Sequence, residues 1–142
     1  MKRVLVFIGF LILMALCANG LQAQDLRDSM GHRIGQVDSD GDVRDLNGNL
    51  IGQVKNNGDI RNRMGHLIGE VRKDGDILDE MGNRIGELRS DGDVLDRMGH
   101  RIGEVKSDGD VYDITGNIIG SAPGVDRIIA AVYFFFNYFE QE

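Results

Sequence analysis

The chain repeats itself every seventeen residues, and any fold it adopts must absorb that odd period. From residue 24 it divides without insertion or deletion into QDLRDSMGHRIGQVDSD, GDVRDLNGNLIGQVKNN, GDIRNRMGHLIGEVRKD, GDILDEMGNRIGELRSD, GDVLDRMGHRIGEVKSD and GDVYDITGNIIGSAPGV. These six units cover residues 24–125, which makes most of the chain one array rather than a set of domains.

Each unit reads as a β-hairpin. Glycine recurs about three times per unit, a density that no helix tolerates. Segments such as "GDVLD" and "RIGEV" read as the two strands. The connections "RMG", "EMG" and "LNG", and likewise "SDG", "NNG" and "KDG", place Gly third. That is the pattern of a three-residue hairpin loop that closes on a left-handed residue. Strict alternation over an odd period would turn the apolar face over at every unit, so a bulge is required. It is expected at the inner glycine of "IGEV", that is at Gly35, Gly52, Gly69, Gly86, Gly103 and Gly120, because the flanking Ile and Val stand three apart. No helix follows these glycines, which argues for close packing over phosphate binding.

Three columns supply the expected core: Leu26, Val43, Ile60, Ile77, Val94 and Val111; Ile34, Ile51, Ile68, Ile85, Ile102 and Ile119; and Val37, Val54, Val71, Leu88 and Val105. Met30, Met64, Met81 and Met98 are expected to add to it at the turns. This is thin apolar cover for an array of such length. The missing cover is expected from residues 126–142, where "VDRIIAAVYFFFNYFEQE" follows the only proline, Pro123. Its apolar run is too short to span a bilayer. A helix capped by Asp126 would align Ile128, Ala131, Val132, Phe135 and Phe139 as one stripe; an inserted strand is the alternative. Packing on the array is expected over a surface anchor. The column Arg27, Arg44, Arg61, Leu78, Leu95, Tyr112 turns apolar in its last three members. That patch on the outer face is the expected dock.

Residues 1–23, "MKRVLVFIGFLILMALCANGLQA", carry Lys2 and Arg3, an apolar run from Val4 to Leu16 and a small, polar end. That is a secretory signal peptide. Cleavage after Ala23 is preferred to cleavage after Gly20, because Gln24 opens the first repeat. Cys17 sits where a lipoprotein signal places its cysteine, but the preceding Leu16 is not small, which argues against lipid anchoring. After either cut no cysteine remains for disulfides. The destination is periplasmic or extracellular. Of 16 basic and 23 acidic residues, removal of Lys2 and Arg3 leaves 14 against 23, a mature charge of −9. Such a surface argues against nucleic acid or anionic membrane as partner.

The pattern "D-x-M-G-x-x-I-G-x-V-x-x-D-G-D-V", repeated behind a leader and closed by an aromatic tail, resembles the five-fold β-flower family of small secreted proteins. The resemblance covers about residues 24–139 and implies short hairpins radiating around a central axis. It assigns no activity. There are six "GDV…IGEV" hairpins but five complete "IGEV…GDVLD" pairs, so five petals with a closing pair and six petals both remain open.

Two constellations invite a chemical reading. "DSDGD" brings Asp38, Asp40 and Asp42 together, as calcium would require, but its Gly comes too early for an EF-hand loop and no bidentate Glu follows. Asp-Gly as turn chemistry is the stronger reading. Histidine occupies every other unit at His32, His66 and His100; a three-histidine metal site would need them to converge, whereas their place beside a turn glycine puts them at a rim. Neither a nucleophile beside a base nor an unequal carboxylate pair is visible, so no catalytic residue and no cofactor is expected. The chain reads as an all-β, ring-like or nearly closed array of hairpin repeats with an apolar helix or strand packed on it. Its expected role is non-catalytic: structural, or binding an unidentified protein or glycan at the cell envelope, with oligomerisation through the tail. A calcium- or metal-binding module using the Asp-Gly turns is the alternative.

Overall fold

The computed structural model describes residues 23–139; the expected signal peptide, apart from Ala23, and with it Cys17, lies outside them. Twelve strands follow in order: β1 (Gln24–Asp28), β2 (Arg33–Val37), β3 (Asp42–Asp45), β4 (Leu50–Val54), β5 (Asp59–Asn62), β6 (Leu67–Val71), β7 (Asp76–Asp79), β8 (Arg84–Leu88), β9 (Asp93–Asp96), β10 (Arg101–Val105), β11 (Asp110–Asp113) and β12 (Ile118–Ser121). Among the described residues one helix, α1 (Arg127–Phe135), follows the strands. Each strand pairs antiparallel with its neighbours in sequence, and β1 meets β12 through Arg27↔Ser121 and Asp28↔Gly120 to close a barrel. The array is thus a closed ring with no free edge.

The bulge appears once in every unit, but one place before the expected glycine, which is itself paired. Leu26 pairs with Gly35 and Arg27 with Arg33, so Ile34 is the extra residue. Ile51, Ile68, Ile85, Ile102 and Ile119 are skipped in the same way. One break of alternation per unit is what an odd period needs, and it returns Ile34 and Val37 to a shared inner face. Both kinds of loop close as expected: Gly31 donates its N–H to Asp28 O and Gly41 to Asp38 O, and both glycines have positive φ. The loops define two ends of the barrel, a Met-Gly end and an Asp-Gly end.

Eight strands make a barrel that side chains alone can fill, whereas twelve leave room for more. Here α1 and the residues after it fill that room. Asp126 accepts from Ile128 N at 3.1 Å, the expected N-cap. Asp126 to Ile129 lie beside the turns at residues 55–58 and 72–75, at the Asp-Gly end, while Asn137 and Tyr138 lie beside Asn62–Met64 and Asp79–Met81, at the Met-Gly end. The tail therefore passes through the lumen from one end to the other. Ala130, Ala131 and Val132 are fully buried and join Leu26, Val43, Ile60, Ile77, Val94 and Val111 in one core.

Two expectations are corrected. The tail does not dock on the outer patch or present a single stripe, because the helix is surrounded by sheet. Leu78 and Leu95 are nonetheless buried, lying outside the core on the outer wall, where Glu70 and Arg84, and Glu87 and Arg101, stand opposite them; such long side chains cover apolar neighbours with their stems. The methionines do not join the core either. Met30, Met64, Met81 and Met98 are 73–83% exposed.

The inner glycines are the seats of the tail. A Cβ on Gly120, Gly103, Gly86, Gly69 or Gly52 would overlap the ring of Phe134, Phe135, Phe136, Tyr138 or Phe139, respectively. On all six inner glycines it would also stand 2.5–2.9 Å from a carbonyl oxygen of the next strand. Tyr138 adds a directed bond, its hydroxyl donating to Leu78 O at 2.7 Å, and burial pushes its pKa up. Gly86→Ala is accordingly expected to cost about 3 kcal/mol or more. Gly82→Ala, with positive φ but open space around it, should cost about 1–2 kcal/mol. Combining Gly86→Ala with Phe136→Ala should cost less than the sum of the two, since the mutual clash is gone. Denaturant unfolding of the four variants measures all three terms.

Candidate functional site

The candidate surfaces are the two ends. At the Met-Gly end each first strand finishes on Asp28, Asp45, Asn62, Asp79, Asp96 or Asp113, whose side-chain oxygen accepts the backbone N–H groups two and four residues on, as Asp28 does from Met30 and His32 at 2.9 Å. The bond from the residue four positions on is the main cause that lowers the pKa of Asp28, Asp45, Asp79 and Asp96; for Asp113 it is the Thr115 hydroxyl. These carboxylates lock loops. Their shifts arise from turn geometry and need no catalytic explanation.

The locked loops hold an apolar side chain in solvent at every turn. Met30, Met64, Met81 and Met98 occupy four turns, and in the two turns where Asn47 and Thr115 replace methionine, the preceding residues are Leu46 and Ile114, 55% and 54% exposed. All six turns thus carry one large apolar tip, forming a crown around the mouth of the barrel. Between the third and fourth turns an open cleft of about 620 Å³ is lined by Arg63, Met64, Glu80, Met81, Asn137 and Tyr138, among others. Sequence reasoning assigned the methionine column to the core; the substitution of Leu46 and Ile114 one place earlier was the signal that it serves the surface.

At the Asp-Gly end the acidic turn forms as expected. Oxygen atoms of Asp38, Asp40 and Asp42 lie within 4.8 Å of one another. Arg44 occupies the same place: its Nε donates to Asp38 Oδ2 at 2.9 Å, and its guanidinium reaches Asp42 at 3.6 Å. Asp38 raises the Arg44 pKa in turn. Asp42 also accepts from the Gln53 amide, and Asp40 from Asp42 N at 3.3 Å. Asp38 and Asp42 thus share the single positive charge of Arg44, leaving Asp40 as the exposed member without a cationic partner in the cluster. His32, His66 and His100 sit on alternate turns of the crown, and the three form no metal-holding group among the described residues. His32 and His100 face Asp28 and Asp96 at 3.6 and 3.7 Å.

The lowered pKa values fix the sign of an acid effect. A carboxylate whose folded pKa is depressed contributes stability that is complete above its unfolded pKa, near 3.9, and lost as pH falls through the folded value. Asn62 makes the same two backbone bonds without a titrating group. The triple variant Asp45→Asn, Asp79→Asn, Asp96→Asn should therefore fold at neutral pH and lose less stability than the parent below about pH 4. Thermal melts from neutral pH into that acid range test this.

Five strand pairs, β2–β3, β4–β5, β6–β7, β8–β9 and β10–β11, are joined by Asp-Gly loops, and the sixth, β12–β1, is joined by pairing alone. The barrel is thus five linked petals and a closing pair, and five rings occupy five of its six inner glycines. No curated protein and no solved structure matches the chain. A family model described as a 5-fold beta-flower protein matches residues 23–138, and the chain belongs to that family.

Proposed function

We propose that this is an exported, non-catalytic repeat protein with a structural or binding role at the cell envelope, in the periplasm or outside the cell, recognising a protein or glycan. The crown carries this reading. Soluble surfaces keep apolar patches small unless they meet something, and here the fold spends a locked turn in every repeat to hold one apolar side chain outward. The lumen, where a barrel of this size could enclose a ligand, is filled by the chain's own tail. Export is supported by the leader and by β1 starting at Gln24, so that cleavage after Ala23 leaves every strand whole. No helix among the described residues is long and apolar enough to cross a membrane.

The alternative, cation binding at the first Asp-Gly turn, is favoured by the approach of Asp38, Asp40 and Asp42. It is opposed by Arg44, whose charge fills the cluster.

Fractionation of the cells that make the protein tests the reading: it should appear in the envelope or outside fraction with Gln24 at its N-terminus, and cytoplasmic protein that retains Met1 would contradict it. Millimolar calcium should shift the melting temperature by less than about 1 °C. A rise of several degrees that disappears in Asp40→Asn would favour the alternative.

A further inference from the structure

We infer that the crown is a self-association surface through which two copies of this chain dock end to end; this rests on the reading of the crown as a binding face and names its occupant. Sheet addition cannot join copies, because the barrel is closed. The outer wall is a lattice of ion pairs, among them Arg44 with Asp38, Arg61 with Asp59, Arg84 with Glu87 and Arg101 with Glu104. The Asp-Gly turns present charged, amide and hydroxyl side chains, and Ile128 and Ile129 beside them are only partly exposed. Leu67 and Ile118 are also exposed, but among the described residues only the crown offers a large exposed apolar side chain on every repeat.

Area and charge point to a second copy. At roughly 100 Å² of apolar surface per large aliphatic side chain, the six tips together provide on the order of 600 Å², near the ~800 Å² that each partner gives to a standard interface. Six tips with gaps between them form a toothed ring, and two such rings face to face interdigitate after a rotation of half a repeat. Flexible methionine side chains suit such packing. The third, fourth and fifth turns carry Arg63, Glu80 and Arg97 beside their methionines. Facing rings run in opposite senses, so an isologous docking that sets Arg63 of one copy against Glu80 of the other does so twice. A lipid surface fits less well: the turn tips carry none of the Trp and Tyr that favour membrane interfaces.

Sedimentation equilibrium of the purified protein across the micromolar range tests the inference, with three variants alongside. The parent should be a dimer. Met64→Ser with Met81→Ser and Met98→Ser, all at exposed positions, should weaken dimerisation by roughly 100-fold or more while the chain still melts in one cooperative transition, any fall in melting temperature being confined to concentrations at which the parent is dimeric. Arg63→Glu alone should weaken it, and Arg63→Glu combined with Glu80→Arg should restore it. A parent that stays monomeric, a triple serine variant that still pairs, a charge swap that fails to rescue, or a monomer that pellets with neutral phospholipid vesicles through its crown would each overturn the inference. The envelope reading stands or falls separately, by fractionation.

Discussion

The seating of aromatic rings on glycine governs this structure. Phe134, Phe135, Phe136, Tyr138 and Phe139 meet Gly120, Gly103, Gly86, Gly69 and Gly52 in turn, so five residues near the C-terminus read five repeats around the ring, in reverse order. Each seat exists because the strand has no side chain there, and the ring then fills space that a Cβ would deny. An aromatic side chain brings a large apolar area, and here that area lies in the lumen, where the repeats alone offer Val and Ile of modest length. The tail is thus the inner half of the core.

This arrangement explains the closure. Five of the six petals are held by covalent loops at the Asp-Gly end, while the seam between β1 and β12 has two paired positions. A seam so short is weak by itself, since β-pairing is stabilised by accumulated side-chain contacts. The tail spans the lumen and touches repeats on both sides of the seam, with Phe134 on Gly120 and Phe139 on Gly52. At the helix start, Arg127 donates to Ser90 O at 3.0 Å and ties the tail to the fourth Asp-Gly turn. Geometry that fixes the inside also fixes the outside. Strands held in register by the seats present their Asx-capped turns as one crown.

Much of this was legible in the letters. The period, the turn glycines and the need for one bulge per unit follow from local rules about alternation and loop chemistry, although the extra residue is the Ile before the expected glycine and the letters left five petals and six both open. Asp126 announced the helix start. What was not legible is where the tail goes, because a sequence shows that Phe134 to Phe139 are apolar but not that a closed ring has a lumen to receive them. The outer Leu78 and Leu95 misled for a related reason: covered by charged side chains across the strands, they need no tail. Met64 and its equivalents misled because apolar residues at turns usually fold inward, whereas each Asx lock here holds the turn tip clear of the barrel. The approach of Asp38, Asp40 and Asp42 follows from their spacing, but only the structure shows Arg44 inside the cluster.

The most direct test removes the tail. Thermal unfolding of the full chain should be compared with that of a chain ending at Val125, with binding of an apolar dye as a second signal. If the rings are the inner half of the core, the shortened chain loses its cooperative transition and binds the dye strongly at low temperature. A shortened chain that melts cooperatively within a few degrees of the parent, with no gain in dye binding, would contradict the account.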